Sequence, residues 1–252
     1  MDDVTILACM LLRIEWRYPS EKHFHEQLLS WGITLPERTR YNRRCRQLTP
    51  VMKLIRTWLL KEWLIAPAYE VIDSAPITLA SARRSHYAKV LREVADKGYN
   101  ATKRTYYYGF ELHAVMVDEG YFVNWKITPA SVDERAVAPG LLLDSPCRQV
   151  LADGGYLSSA LKSRLYDEYA INLWTPVRKN MKKPAGENTA ELKDKRRQIE
   201  TGFNNLNTVG HFEHPAIRTL SGLESRLEAM FLWHTINVHA NLVAGISGLK
   251  IC

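Results

Sequence analysis

The sequence predicts an α/β fold, a mixed sheet flanked by helices and led by a helical, basic N-terminal region. Three observations predict it. Apolar residues recur at helical spacing between residues 4 and 66, the period becomes strand-like from residue 69, and strands then alternate with helices to the end of the chain. A length of 252 residues suits one sizeable domain, or one domain with a small appendage.

The helical part comes first. "VTILACMLLRIEW", "SEKHFHEQLLSW" and "LTPVMKLIRTWLLKEWLI" each carry an apolar face, with Ser20 and Thr49 as expected caps and Pro50 at a first helical position. "PERTRYNRRCRQ" reads as a basic segment between the last two. From residue 69, "AYEVID" predicts a strand that should stop before Pro76, since proline lacks a backbone donor. "TYYYGFELHAVMVDEGYFVNWKITPA" predicts a hairpin turned at "DEG". A helix at "DERAVAPGLLLD", broken or kinked by its Pro-Gly, leads to a short strand at "CRQVLADGGY". A helix through "SSALKSRLYDEY" and a fifth strand at "AINLWTPV" follow. "TAELKDKRRQIETGFNNLNTV" predicts one long helix, and residues 220–247 another. The organisation expected is a helical basic region over 1–66, in a DNA-binding role, and a second domain over 67–252.

The formal net charge of +7 and pI near 9.2 favour a polyanionic partner. The charge is concentrated: residues 36–66 hold eight Lys/Arg, 82–105 seven, and 178–199 eight. One such run alone is commonly a solvated helix face; three together favour a nucleic-acid surface. Arg40, Arg43, Arg44, Arg83, Arg84, Arg178, Lys179, Lys182 and Arg196 are the candidate DNA contacts. Four scattered cysteines without a CxxC pair make neither a zinc ribbon nor a disulfide framework, which suits a reducing, intracellular setting. The apolar stretch near the C-terminus carries His234, Asn237, His239 and Asn241, so it reads as a core helix and not a membrane span.

Asp73 and Asp153 each stand at the end of an apolar strand, where α/β sheets place ligand sites. Taken singly, either would read as a turn or cap residue. Glu200 borders the apolar helical stripe of Leu192, Ile199, Phe203 and Leu206. Three gathered carboxylates repel unless a cation neutralises them, and an oxygen-only set without His or Cys suits Mg²⁺, with Mn²⁺ as a substitute. Two such ions about 3.5–4 Å apart clamp the oxygens of an in-line phosphoryl displacement. His113 reads as a strand histidine with a satisfied partner, His211 and His214 as caps or phosphate contacts, and Trp125 and Trp174 as core. Asp133 reads as a helix cap, and at least one of Tyr106 to Tyr108 should pack inward. Gly202, unfavourable inside a helix, implies a close approach there by the sheet or by DNA.

Six stretches in fixed order carry a family resemblance: "VIDSAPI", "YYYGFELHAVM", "NWKITPASVDER", "LADGGYLS", "TPVRKNMK" and "KRRQIETGFNNL", with "RTRYNRRCRQL" ahead of them. The chain resembles DDE transposases of bacterial insertion sequences, and within them insertion-sequence family 982. The resemblance implies a ribonuclease H-like catalytic domain and Asp73, Asp153 and Glu200 as catalytic, metal-holding residues. It further implies two Mg²⁺ ions per site, and as partners the element's terminal inverted repeats and target DNA. A homodimer or higher oligomer on DNA, no membrane, and a cytoplasmic, nucleoid-associated location follow in the same way. Arg196 matches a basic residue commonly found one turn before the Glu. Where some relatives carry a basic residue after the Glu, this sequence has Asn204, Asn207 and His211, and the resemblance implies a start inside the family's N-terminal region. The expected chemistry is strand cleavage at element ends and attack of the 3′-OH on target DNA. The alternatives are a nuclease of the same fold that only hydrolyses, and a silent DNA-binding derivative.

Overall fold

A computed structural model describes residues 2–101, 103–176 and 189–250. Four helices lead the chain: α1 (Asp3–Glu15), α2 (Glu21–Ser30), α3 (Arg38–Gln47) and α4 (Thr49–Trp63). Asp2 caps α1 by accepting from the Thr5 N–H, and Ser20 caps α2 by accepting from the His23 N–H. The basic segment "RTRYNRRCRQ" is helix α3 and not a connector: Tyr41 and Cys45, four residues apart, give it a buried stripe. The cap ahead of α4 is Leu48, not Thr49, because the chain passes from α3 to α4 with Leu48 itself in the right-handed helical region.

Among the described residues the sheet runs β2-β3-β1-β5-β6, with β4 paired to β3. Its strands are β1 (Glu70–Ser81), β2 (Asp96–Asn100), β3 (Thr105–Val117), β4 (Phe122–Pro129), β5 (Gln149–Ala152) and β6 (Asn172–Trp174). β1 is antiparallel to β3 and parallel to β5, and β6 is parallel to β5. The hairpin of β3 and β4 turns where expected, with Gly120 at φ +99°. β2 was not foreseen; it shares the outer edge of β3 with β4, pairing Thr105 to Gly109 while β4 pairs Phe110 to Met116.

β1 does not stop before Pro76 but continues to Ser81. β5 accompanies it only through Ile72, so the far half of β1 has a free edge. Thr78 sends its N–H out of the sheet, 2.7 Å from the Glu213 carbonyl. By the period of two, the Pro76 nitrogen faces the same free edge, where no ladder bond is lost.

The remaining helices are α5 (Glu134–Leu142), α6 (Ser159–Tyr169), α7 (Thr189–Arg196), α8 (Gln198–Gly210) and α9 (Leu220–Val243). α5 continues through Pro139, and Asp133 caps it by accepting from the Arg135 N–H. The expected single helix over 189–209 is interrupted at Arg197, whose N–H lies 3.2 Å from both the Lys193 and Asp194 carbonyls. That shared bond is a local 3₁₀ tightening. α5 and α6 cover one face through Val137, Leu141, Leu161 and Leu165 against Ile72, Val115 and Val150. On the other face, Val71, Ala75, Leu112 and Met116 pack with α8 and α9. Residues of α1 to α4, among them Ile6, Phe24, Tyr41 and Met52, join this second core. The result is a ribonuclease H-like mixed sheet flanked by helices.

Gly202 marks the close approach of α8 to the sheet. A Cβ there would stand 2.8 Å from the Phe122 ring and 3.0 Å from the Met116 sulfur. The sheet, not DNA, requires the small residue. Cys9, Cys45 and Cys147 are buried free thiols. No helix among the described residues is long and apolar enough to cross a membrane.

Candidate active site

The parallel pairing of β1 and β5 brings the two aspartates together. Ile72 is the register partner of Ala152. One residue further along each chain stand Asp73 and Asp153, roughly one strand spacing of about 4.8 Å apart. Val71 and Ala75, which flank Asp73 at a spacing of two, belong to the core under α8 and α9. Asp73 therefore projects on the α8 side. Each aspartate is fixed by the chain that follows it: the Ser74 N–H donates to Asp73 Oδ1 at 2.8 Å, and the Gly155 N–H to Asp153 Oδ1 at 2.7 Å.

Glu200 lies in the first turn of α8, beside the buried Ile199, with its own side chain 54% exposed. Arg196 links it to the strand. Its Nη1 donates to Asp73 Oδ2 at 3.0 Å and its Nη2 to Glu200 Oε1 at 2.5 Å. The guanidinium thus sits between the two acids, where a cation is needed.

A second group of acids gathers around Ser74, next to Asp73 in β1. The Ser74 hydroxyl is 2.7 Å from Glu134 Oε1 and 3.0 Å from Glu111 Oε1, and the Tyr107 hydroxyl donates to Glu111 Oε2. The Ser74 hydroxyl has a single proton to share between the two carboxylates. Burial raises the pKa of both Glu111 and Glu134, and the charges of Asp153 and Glu111 raise Glu134 further. Tyr156 is fully buried, and its hydroxyl has no hydrogen-bond partner among the described residues. Its pKa is held well above the usual phenol range by burial and then by the charges of Glu134, Asp73, Asp153 and Glu111. A Cβ at Gly155 would fall 2.4 Å from Glu134 Oε2 and 2.9 Å from Asp153 Oδ1, so only glycine leaves both carboxylates in place.

The donor set fits a hard divalent cation. Every candidate ligand is a carboxylate oxygen. The Asp73 carboxyl is pushed up to about 8, chiefly by burial and then by the charge of Asp153, against the opposing pull of the Ser74 N–H and Arg196. Among the described residues no three His, Cys, Asp or Glu side chains already converge on one point, because Arg196 separates Glu200 from Asp73. Asp73, Asp153 and Glu200 are the residues that could hold an ion here.

A pH dependence follows from the raised pKa of Asp73. Its folded-state value lies above the ordinary 3.8. The stability it contributes is therefore complete below about pH 4 and is lost as the pH rises to about 8. A cation that binds the ionised form must displace that proton, so it binds more tightly as the pH rises. Thermal melts with and without Mg²⁺ should give a larger Mg²⁺-induced gain at pH 8 than at pH 6. The Asp73→Asn variant should lose that difference. An equal gain at both values in the wild type would show that Asp73 does not face the ion.

The other predicted residues fall in several places. Arg40 and Arg43 are exposed or nearly so on α3, whereas Arg44 is engaged by Asp3, with Nε 2.7 Å from Oδ1. Arg83 and Arg84 are exposed on a 3₁₀ turn at Ala82–Tyr87. Arg196 is turned into the acids. Arg178, Lys179 and Lys182 lie outside the described residues. Arg56, counted in the first basic run, is buried against Glu228. His113 is fully buried, with Nε2 2.8 Å from Thr128 Oγ1, and burial pushes its pKa down to about 4, which leaves it neutral. Trp125 donates from its ring N–H to Glu228 and stacks on Phe231, as a core residue does. His211 ends α8 in the left-handed region at φ 51°.

Glu111, Glu134 and Tyr156 were missed by sequence reasoning. A signal existed for Glu111: it is a lone carboxylate inside the apolar run "GFELHAV", the same feature that singles out Asp73. Glu134 was hidden behind its neighbour Asp133, which takes the cap.

Residues 66–220 match the model of the family described as "Transposase DDE domain". No curated protein matches the chain. The match covers more than half of the 252 residues and includes Asp73, Asp153 and Glu200, so the chain belongs to the DDE-domain transposases, and DNA is its partner.

Proposed function

We propose that this transposase cleaves DNA at the ends of an insertion sequence and joins the freed 3′-OH to target DNA, with Asp73, Asp153 and Glu200 as its catalytic acids. The observation that carries the reading is the bridge of Arg196 between Asp73 and Glu200, next to the register pair of Asp73 and Asp153. When bound, a pair of Mg²⁺ ions, or Mn²⁺ in their place, lowers the pKa of the attacking water or 3′-OH and stabilises the leaving oxygen. Asp73 and Asp153, each with Oδ1 held by a backbone N–H, would offer their second oxygens to the ions, and Asp73 Oδ2 accepts from Arg196. Arg196 holds Glu200 facing Asp73 and supplies positive charge between the two acids. No protein general base is assigned.

The substrates in this reading are the terminal inverted repeats of an element of insertion-sequence family 982 and then target DNA. The protein acts in the cytoplasm at the nucleoid, as a homodimer or higher oligomer on DNA. The helical region over 1–66 contributes to DNA binding through Arg40 and Arg43, which point away from the core.

Glu200→Gln tests the third acid. Glu200 is half exposed, so the change leaves folding intact. It is expected to weaken Mn²⁺ binding and to abolish both cleavage and 3′-end joining on pre-nicked element-end DNA in single turnover. Joining at the wild-type rate would remove Glu200 from the mechanism. Cleavage by the wild type with no joining under any condition would make the protein a nuclease that only hydrolyses.

A further inference from the structure

Beyond the acids, the free edge of β1 opens into a groove of about 1090 Å³. Its walls are the far end of β1, the 3₁₀ turn that follows, the start of β3, and the residues after α8. Thr78 stands five residues beyond Asp73 on the same strand, about 17 Å at the rise of a strand. The groove therefore begins a few nucleotides from the carboxylates. Tyr107 connects the two places, since it lines the groove and its hydroxyl donates to Glu111.

The lining combines two chemistries. Arg83, Lys97 and Lys103 supply positive charge, and no Asp or Glu lines the groove among the described residues. Lys103 lies 2.8 Å from Glu213, outside the lining, and Arg83 and Lys97 are exposed. Between these charges stands the ring of Tyr106, 67% exposed, in a cross-strand pair with Tyr99 at 4.8 Å between centroids and 50° between planes. Leu79 and Ala80 continue the apolar wall. A duplex offers a groove its phosphates and keeps its base faces stacked. An unpaired strand offers both phosphates and base faces, and a cationic groove with an exposed aromatic ring matches that pair of features.

We infer that this groove binds an unpaired stretch of DNA strand beside the cleavage position, with a base stacked on Tyr106 and phosphates on Arg83 and Lys97. The inference rests on the transposase reading above and adds to it a site for single-stranded DNA. The loss of one stacked base corresponds to roughly a 5- to 150-fold change in affinity. One phosphate contact on a single strand contributes about 0.7 to the slope of log affinity against log salt.

The test uses the full chain and fluorescence anisotropy with two labelled probes, a single-stranded oligothymidine and a blunt duplex of equal length. Tyr106→Ala is expected to weaken oligothymidine binding at least about fivefold, with duplex binding within twofold of wild type. Tyr106→Phe, which keeps the ring, should bind both probes as the wild type does. Lys97→Ala should reduce the single-strand salt slope by about 0.7. A 2-aminopurine in the single strand should be quenched by the wild type and not by Tyr106→Ala. A thermal melt confirms that the variants are folded. Equal losses on both probes would overturn the inference in favour of duplex backbone contact, and no loss on either would overturn it outright. If the wild type binds both probes and only the Tyr106 arm fails, the groove assignment falls and the transposase reading stands. If the wild type binds neither probe, both fall together.

Discussion

Asp153→Asn is expected to abolish strand cleavage while leaving DNA affinity unchanged or slightly raised. The substitution is nearly isosteric, and its Oδ1 still accepts the Gly155 N–H, so the turn after β5 survives. What disappears is one negative charge beside Asp73 and one hard oxygen donor. Removing a group that only supports a metal ligand typically costs 10–100-fold in activity, so loss of a ligand itself should exceed about a hundredfold. The same change relieves Asp73, whose pKa is raised in part by the charge of Asp153. In a chelating buffer at pH 8 the variant should therefore melt no lower than the wild type, and Mg²⁺ should raise its melting temperature less. Greater or equal stability joined to lost activity is the signature of a charge kept for function. Cleavage at the wild-type rate in Mg²⁺ would remove Asp153 from the site.

The aspartates were legible because burial makes an isolated carboxylate in a strand expensive, and only a partner explains it. The same rule, applied evenly, picks out Glu111 in β3 and Glu70 in β1. Glu70 is fully buried, bonded by the Ser145 hydroxyl, and its pKa is pushed up to about 7 by burial. The bridge by Arg196 was not legible, since sequence spacing puts Arg196 and Glu200 on one helical face but says nothing of Asp73 across the fold.

Errors in the secondary structure also have physical causes. The length of β1 depends on whether the edge that Pro76 faces is free, and that is decided by where β5 ends. β2 is the polar stretch "DKGYN", with no alternation to read; it is a strand only because β3 is longer than β4 and leaves room beside Thr105 to Gly109. α3 carries so many arginines that its two buried residues, Tyr41 and Cys45, do not form a visible stripe. In each case the tertiary neighbour decides, not the local pattern.

The basic run over 36–66 holds the clearest example, and it sets the largest expected effect on stability. Arg56 and Glu228 have side chains only 4% and 2% exposed, with Nε 2.6 Å from Oε1. The pair is fully engaged: Arg56 Nη1 also donates to the Phe122 carbonyl at 3.2 Å, and the Trp125 ring N–H donates to Glu228 Oε2 at 3.1 Å. One ion pair thus joins α4, α9 and β4. Arg56→Met leaves the Glu228 carboxylate buried without its cation, a loss of about 3–5 kcal/mol. At roughly 2–4 °C per kcal/mol for a chain of this size, the melting temperature should fall by on the order of 10 °C. Adding Glu228→Gln removes the stranded charge and keeps an acceptor for Trp125, so the double variant should recover much of the loss. If the single variant melts within about a degree of the wild type, the pair is not holding these elements together. The effect should reach the active site as well. Phe122 packs under Gly202, two residues along α8 from Glu200, which faces Arg196. Below its lowered melting temperature, Arg56→Met should retain DNA binding yet lose joining activity sooner on warming than the wild type does.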